Sequence, residues 1–194
     1  MFPKAGFARC VQAGYGCRHQ AVVNAIRSTT KFYGIHSFIP KHTELPLPDK
    51  EKGGPDIIVL ADMTYAVDVT ITATATPKTT GEITRAMLSE RFKWKMKKYE
   101  AFAAMTGYVT IPFVMSIHAL VCKETRDMVE RWKVRATEPA FINALYANCQ
   151  MAMIKAQYEM VRYTTSKHIT QLEHRRWEQR QLTQPRRERD FESP

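Results

Sequence analysis

Residues 55–72, PDIIVLADMTYAVDVTIT, place two aspartates, Asp56 and Asp68, among apolar neighbours in an otherwise basic chain. Ile57 to Leu60 is a short apolar run. From Tyr65 to Thr74 the residues alternate, Val67, Val69 and Ile71 on one face against Asp68, Thr70 and Thr72 on the other, which is the period-two pattern of a strand. Two such runs with a tight connection predict an antiparallel hairpin. With its loop centred on Asp62, Leu60 faces Thr64, Ile58 faces Ala66 and Asp56 faces Asp68. Side chains directly opposed across strands have Cβ atoms about 5 Å apart, where like charges repel unless something compensates them. A shared divalent cation is one such compensation. The hairpin also allows a strand-initial Asp56 after Pro55, with Asp68 on a solvated face.

Working outward, CRHQAVVNAIRSTTK over 17–31 spaces Ala21, Val22, Ala25 and Ile26 as one helical face, and Gly34 follows as a stop. Residues 36–54 hold Pro40, Pro46, Pro48 and Gly53-Gly54, an extended loop with one short strand around Ser37 to Ile39. Beyond the hairpin a single long helix is expected from Thr80 to Met105, ended by Gly107, with Leu88, Phe92, Met96, Tyr99 and Ala103 as its buried stripe. Its cations are not equivalent. At about 100° per residue, Lys93 and Lys97 point away from the stripe, Arg91 and Lys98 lie on its margin, and Lys95 falls inside it between Phe92 and Tyr99. An inward lysine needs a partner or must snorkel to solvent. Thr110 to Leu120 reads as buried strand around Pro112, and the lone His118 within it is left outside the site.

Composition bounds the rest. A chain of 194 residues, 44% hydrophobic and 25% charged, suits one full-sized globular core with a smaller helical appendage. We expect a core over 1–124 and a helical extension over 125–194 with an arginine-rich tail including Arg175, Arg176, Arg180, Arg186, Arg187 and Arg189. No run of eighteen apolar residues exists and MFPKAGFARC lacks the apolar core of a secretory signal, so neither a membrane span nor export is expected. Cys10, Cys17 and His19 are spaced like no ordinary structural zinc site, and the four cysteines form no CxxC pair. Lys and Arg number 29 against 19 Asp and Glu, a net charge of +10 that makes a polyanion, DNA or else RNA, the default partner.

The order helix, loop, Pro-Asp strand, Asp strand, long helix with an inward lysine, buried strand resembles the αβββαβ core of the PD-(D/E)xK nuclease superfamily. Pro55-Asp56 and, after eleven intervening residues, Asp68-Val69-Thr70 carry the likeness; Thr70 stands where the superfamily's strand lysine would be. One branch is similar in more detail, the restriction-like endonuclease domain of site-specific non-LTR retrotransposons. There a basic-His-Asn motif precedes the Pro-Asp strand and the lysine has moved to a helix bearing K-x-x-K-Y. This chain has Arg18-His19-Gln20 and Lys95-Met96-Lys97-Lys98-Tyr99, with Gln20 in place of the Asn. The resemblance covers about residues 17–120. It implies an α/β nuclease fold, a Mg²⁺ or Mn²⁺ ion on Asp56 and Asp68, and Lys95, or Lys98 as second choice, acting on water or phosphate. It further implies support from His19, Arg18 and Tyr99, DNA as substrate, a nuclear location, and target-recognition modules on another chain or segment. A noncatalytic nucleic-acid-binding or assembly protein that keeps the fold, such as a ribonucleoprotein subunit, is the competing expectation.

Overall fold

The structure, a computed structural model, describes residues 15–41, 45–46, 53–72, 81–135 and 140–183. Cys10, Pro48, the expected helix start at Thr80, the strand end at 73–74 and Arg186, Arg187 and Arg189 lie outside them. The chain forms two compact units, Met1–Gln157 and Tyr158–Pro194.

In the first unit, α1 (Tyr15–Phe32) is followed by β1 (His36–Phe38), β2 (Ile57–Leu60) and β3 (Thr64–Thr72). Then come α2 (Gly81–Lys98), α3 (Glu100–Thr106), β4 (Val109–Ser116), α4 (Lys123–Val129) and a 3₁₀ turn (Glu130–Arg135). The last helix, α5 (Phe141–Thr183), contributes its residues up to Gln157. The class is mixed α/β. Four strands form one sheet in the order β1-β2-β3-β4, antiparallel except for the parallel pair β3 and β4. A parallel pair needs a long crossover, and the segment bearing α2 and α3 is that connection.

The hairpin has the expected register: Ile58 lies opposite Ala66 and Leu60 opposite Thr64. Its turn is closed by the Ala61 N–H donating to the Met63 carbonyl at 3.0 Å. The ladder stops at Ile57 opposite Val67, so Asp56 sits one residue beyond regular pairing.

Central β3 is buried on both faces. Its odd residues Val67, Val69 and Ile71 join Ile57, Val59, Ile111, Phe113 and Met115 in the main core, covered by Val22 and Ile26 of α1 and by Trp132, Phe141, Leu145 and Cys149. The segment after 124 thus supplies wall to this core. On the opposite face the apolar contacts split in two: Ile58, Ala66, Tyr99 and Phe102 form one group, Leu88, Phe92, Val114 and Cys122 the other. Buried Asp68, Thr70 and Thr110 belong to that face of the sheet.

Three local features shape these elements. Gly34 takes φ of 73°, a left-handed conformation that costs glycine little and stops α1. Pro112 is tolerated in β4 because β4 is an edge strand. That edge is covered: Thr125 of α4 donates to the Pro112 carbonyl at 2.7 Å and accepts the Val114 N–H at 3.2 Å. The single helix expected over 80–105 is in fact two, broken at Tyr99, whose backbone turns to φ −96° and ψ 6°. Its N–H is shared between the Lys95 and Met96 carbonyls at 3.1 and 3.2 Å, and the reason for the break is the anchored tyrosine hydroxyl described below. His118, expected within a strand, lies exposed in the turn after β4.

In the second unit the helical residues Tyr158, Val161, Tyr163, Ile169 and Leu172 are exposed, as are Arg175 and Arg176. Among the described residues no helix is long and apolar enough to cross a membrane.

Trp132 is wholly buried, its ring 5.9 Å from that of Tyr65 and 6.5 Å from that of Phe141. Trp132→Ala should therefore cost about 3–5 kcal/mol of unfolding free energy, measured as a lowered urea midpoint; an unchanged midpoint would show that the 3₁₀ turn does not wall the core.

Candidate active site

The polar gap between the two apolar groups is where the site assembles. In a strand, residues two apart share a face, so Asp68 and Thr70 both point toward α2, and the Thr70 hydroxyl donates to Asp68 Oδ2 at 3.1 Å. Lys95 Nζ meets the same oxygen at 2.7 Å, with both side chains about nine-tenths buried. The lysine that the helical stripe turns inward thus has its partner, and it does not snorkel to solvent. Tyr99, one turn later and 3% exposed, donates its hydroxyl to Asp68 Oδ1 at 2.6 Å, with the Gly54 carbonyl at 3.1 Å competing for the same proton. Holding that hydroxyl on Asp68 while Phe102 packs on the sheet turns the chain between α2 and α3.

Asp56 is reached from two other directions. The Val69 N–H donates to Asp56 Oδ2 at 2.7 Å, replacing the main-chain bond that an uninterrupted ladder would make, while the Asp56 N–H donates to the Val67 carbonyl at 2.8 Å. His19 Nε2 lies 3.1 Å from the same carboxylate oxygen. That hydrogen bond raises the His19 pKa above its ordinary 6.5, burial opposing it and the charges of Asp56 and then Asp68 adding to it. Both carboxylates also act on Tyr99, whose pKa is driven far up, first by burial and then by Asp68. They act on Lys98 as well, whose pKa is nonetheless lowered, first by burial and then by Lys95. Asp56 and Asp68 therefore act on one small region, although they are not a regular cross-strand pair.

Lys98 donates to the Tyr99 hydroxyl at 3.3 Å and lies 4.7 Å from that ring's centroid, so it reaches Asp68 through Tyr99. Arg18 is buried in α1 beside His19. Gln20 is exposed and bonds Asn24 along the helix at 3.1 Å. Sequence reasoning missed the Val69 N–H and the Gly54 carbonyl, which as main-chain groups leave no side-chain signature. It also missed Trp94, on the flank of Lys95, whose signal was a large apolar residue outside the buried stripe.

Oxygen donors of two carboxylates suit a hard divalent cation such as Mg²⁺, which commonly takes one or two carboxylates and completes its shell with water and phosphate. No group of three or more His, Cys, Asp or Glu gathers in metal-ligating geometry among the described residues. Lys95 is the charged partner of Asp68, while Asp56 is held by the Val69 N–H and His19. No protein-family model matches the chain, and no curated protein matches it.

Two outcomes are expected. Lys95→Met should cost about 3 kcal/mol or more, because it strands a buried carboxylate, and adding Asp68→Asn should restore much of the loss; additive costs in the double variant would mean the pair is not coupled. His19 has a raised folded pKa, so its contribution is full below pH 6.5 and fades as pH rises through the folded value. The melting-temperature gap between wild type and His19→Ala should accordingly be widest in acid and close in alkali.

Proposed function

We propose that the first unit is a metal-dependent endonuclease with a PD-(D/E)xK core, hydrolysing a phosphodiester of DNA and breaking one strand of a duplex. The observation that carries this is the buried Lys95–Asp68 contact at 2.7 Å between α2 and β3, with Asp56 tied to the next residue of β3 through the Val69 N–H. Support comes also from the element order, helix, three strands, helical segment, strand, and from the net charge of +10.

In this reading Asp56 and Asp68 hold Mg²⁺ or Mn²⁺. When bound, the ion supplies Lewis-acid polarisation of the phosphoryl group and a more acidic water. The chain's own residues do the rest. Lys95 leaves Asp68 Oδ2 for the phosphate, where its ammonium stabilises the negative charge that builds up during attack. Tyr99 keeps its neutral hydroxyl on Asp68 Oδ1 and fixes that carboxylate's orientation. The Val69 N–H and His19 fix Asp56 in the same way. Lys98 adds positive potential from behind Tyr99, and Arg18 supports His19 from within α1. Surface cations hold the sugar-phosphate backbone, while target choice falls to modules on another chain or segment. A nuclear location belongs to the same proposal and has no support apart from the proposed DNA substrate.

Purified protein with supercoiled plasmid and Mn²⁺ should give nicked circles. Asp68→Ala should lower the rate by about 10²–10³-fold. Lys95→Arg should be impaired, since a planar fork cannot replace a point charge in this gap, and Lys98→Ala should be affected less. Nicking that persists in Asp68→Ala sinks the assignment. The absent strand lysine, Thr70 in its place, favours a second reading, a binding protein that keeps the fold; DNA or RNA binding indifferent to chelator, with no cleavage by any divalent metal, would establish it.

A further inference from the structure

One exposed aromatic adjoins this site. Trp94 on α2 is 52% exposed, unusual for so large an apolar side chain, and packs into neither apolar group beneath the helix. The Arg91 guanidinium lies over its ring, 4.3 Å from the centroid. Lys95 Nζ is 5.8 Å from the same centroid and 2.7 Å from Asp68, so the indole is one side chain away from the carboxylate. Helical spacing sets Arg91, Trp94 and Lys98 along one flank, three and four residues apart, and Arg91, Lys93 and Lys97 are exposed on the same helix.

A flat aromatic surface with a stacked guanidinium, on a helix that carries further exposed cations, presents to a nucleic-acid strand what its bases and phosphates require: a π-face for the one and positive charge for the other. Bases inside a duplex are stacked on each other and cannot use it. An unpaired base can. We infer that Trp94, backed by Arg91, is a base-stacking platform that selects substrates carrying an unpaired nucleotide beside the phosphate at the candidate site, such as a single strand or a branch at a duplex end. This rests on the nucleic-acid reading above and adds a specificity residue to it. Because the indole is half in water, replacing it leaves the core intact.

The test is binding of the full chain, in chelator so that nothing is cut, to oligo-dT and oligo-rU of about fifteen nucleotides, to a blunt duplex, and to the same duplex with a single-stranded branch. Wild type should bind the unpaired and branched probes more tightly than the blunt duplex. It should also lose tryptophan fluorescence on doing so, and Trp94→Phe, which keeps Trp132 and Trp177, should bind without that loss. Trp94→Ala should weaken the unpaired and branched probes by about 5- to 100-fold and the blunt duplex by less than twofold. Trp94→Phe should restore most of the affinity, which a merely structural role would not require. The oligo-dT and oligo-rU arms tell DNA from RNA. Equal losses on paired and unpaired probes, or none, overturn the platform and leave the nucleic-acid reading standing. A wild type that binds none of the four probes overturns both.

Discussion

Two opposite charges meet 2.7 Å apart between a sheet and a helix, and most of the site follows from that contact. Lys95 and Asp68 are each withdrawn from water, and neither is tolerable there without the other. Their pairing fixes the roll of α2, because Lys95 must face the sheet, and the orientation of β3, because Asp68 must face the helix. It also keeps the polar gap open: apolar residues at 68 and 70 would merge the two hydrophobic groups into an ordinary helix-on-sheet core. The break at Tyr99 belongs to the same constraint, since the tyrosine closes the remaining oxygen of Asp68 and ties it to the loop before β2.

Much of this could be read from the sequence, and the parts that could not share a physical cause. The hairpin register followed from strict alternation in β3 and from a turn too short to slip. Lys95 was recognisable because it breaks an apolar stripe, a local pattern that needs no knowledge of its partner. The break after Lys98 was hidden, as there is no proline or glycine between residues 82 and 106 to announce it; it is imposed by hydroxyl contacts to residues 31 and 45 positions away. The carboxylates were expected as direct cross-strand neighbours, yet the ladder stops at Ile57 and the Val69 N–H reaches the Asp56 side chain instead. Alternation cannot reveal where a ladder ends. The parallel pairing of β4 and the packing of Phe141 and Leu145 against the sheet are likewise long-range outcomes of burial.

The expected cross-strand geometry called for compensation of the acids, and the fold gives Asp68 a lysine and Asp56 the Val69 N–H and His19. Under the nuclease reading, a divalent ion and Lys95 compete for Asp68, and a phosphate is the natural new partner of the displaced ammonium. Substrate would then help the metal in, because the phosphate offers Lys95 somewhere to go. The same arrangement in a protein that only binds nucleic acid would hold Lys95 in place permanently as a structural tie.

These alternatives part most directly in a crystal structure soaked with Mn²⁺ in the presence of a short oligonucleotide. The nuclease reading requires anomalous density between Asp56 and Asp68, with Lys95 moved off Asp68 toward a phosphate. Anomalous density elsewhere or none, with the Lys95–Asp68 pair intact, would contradict it.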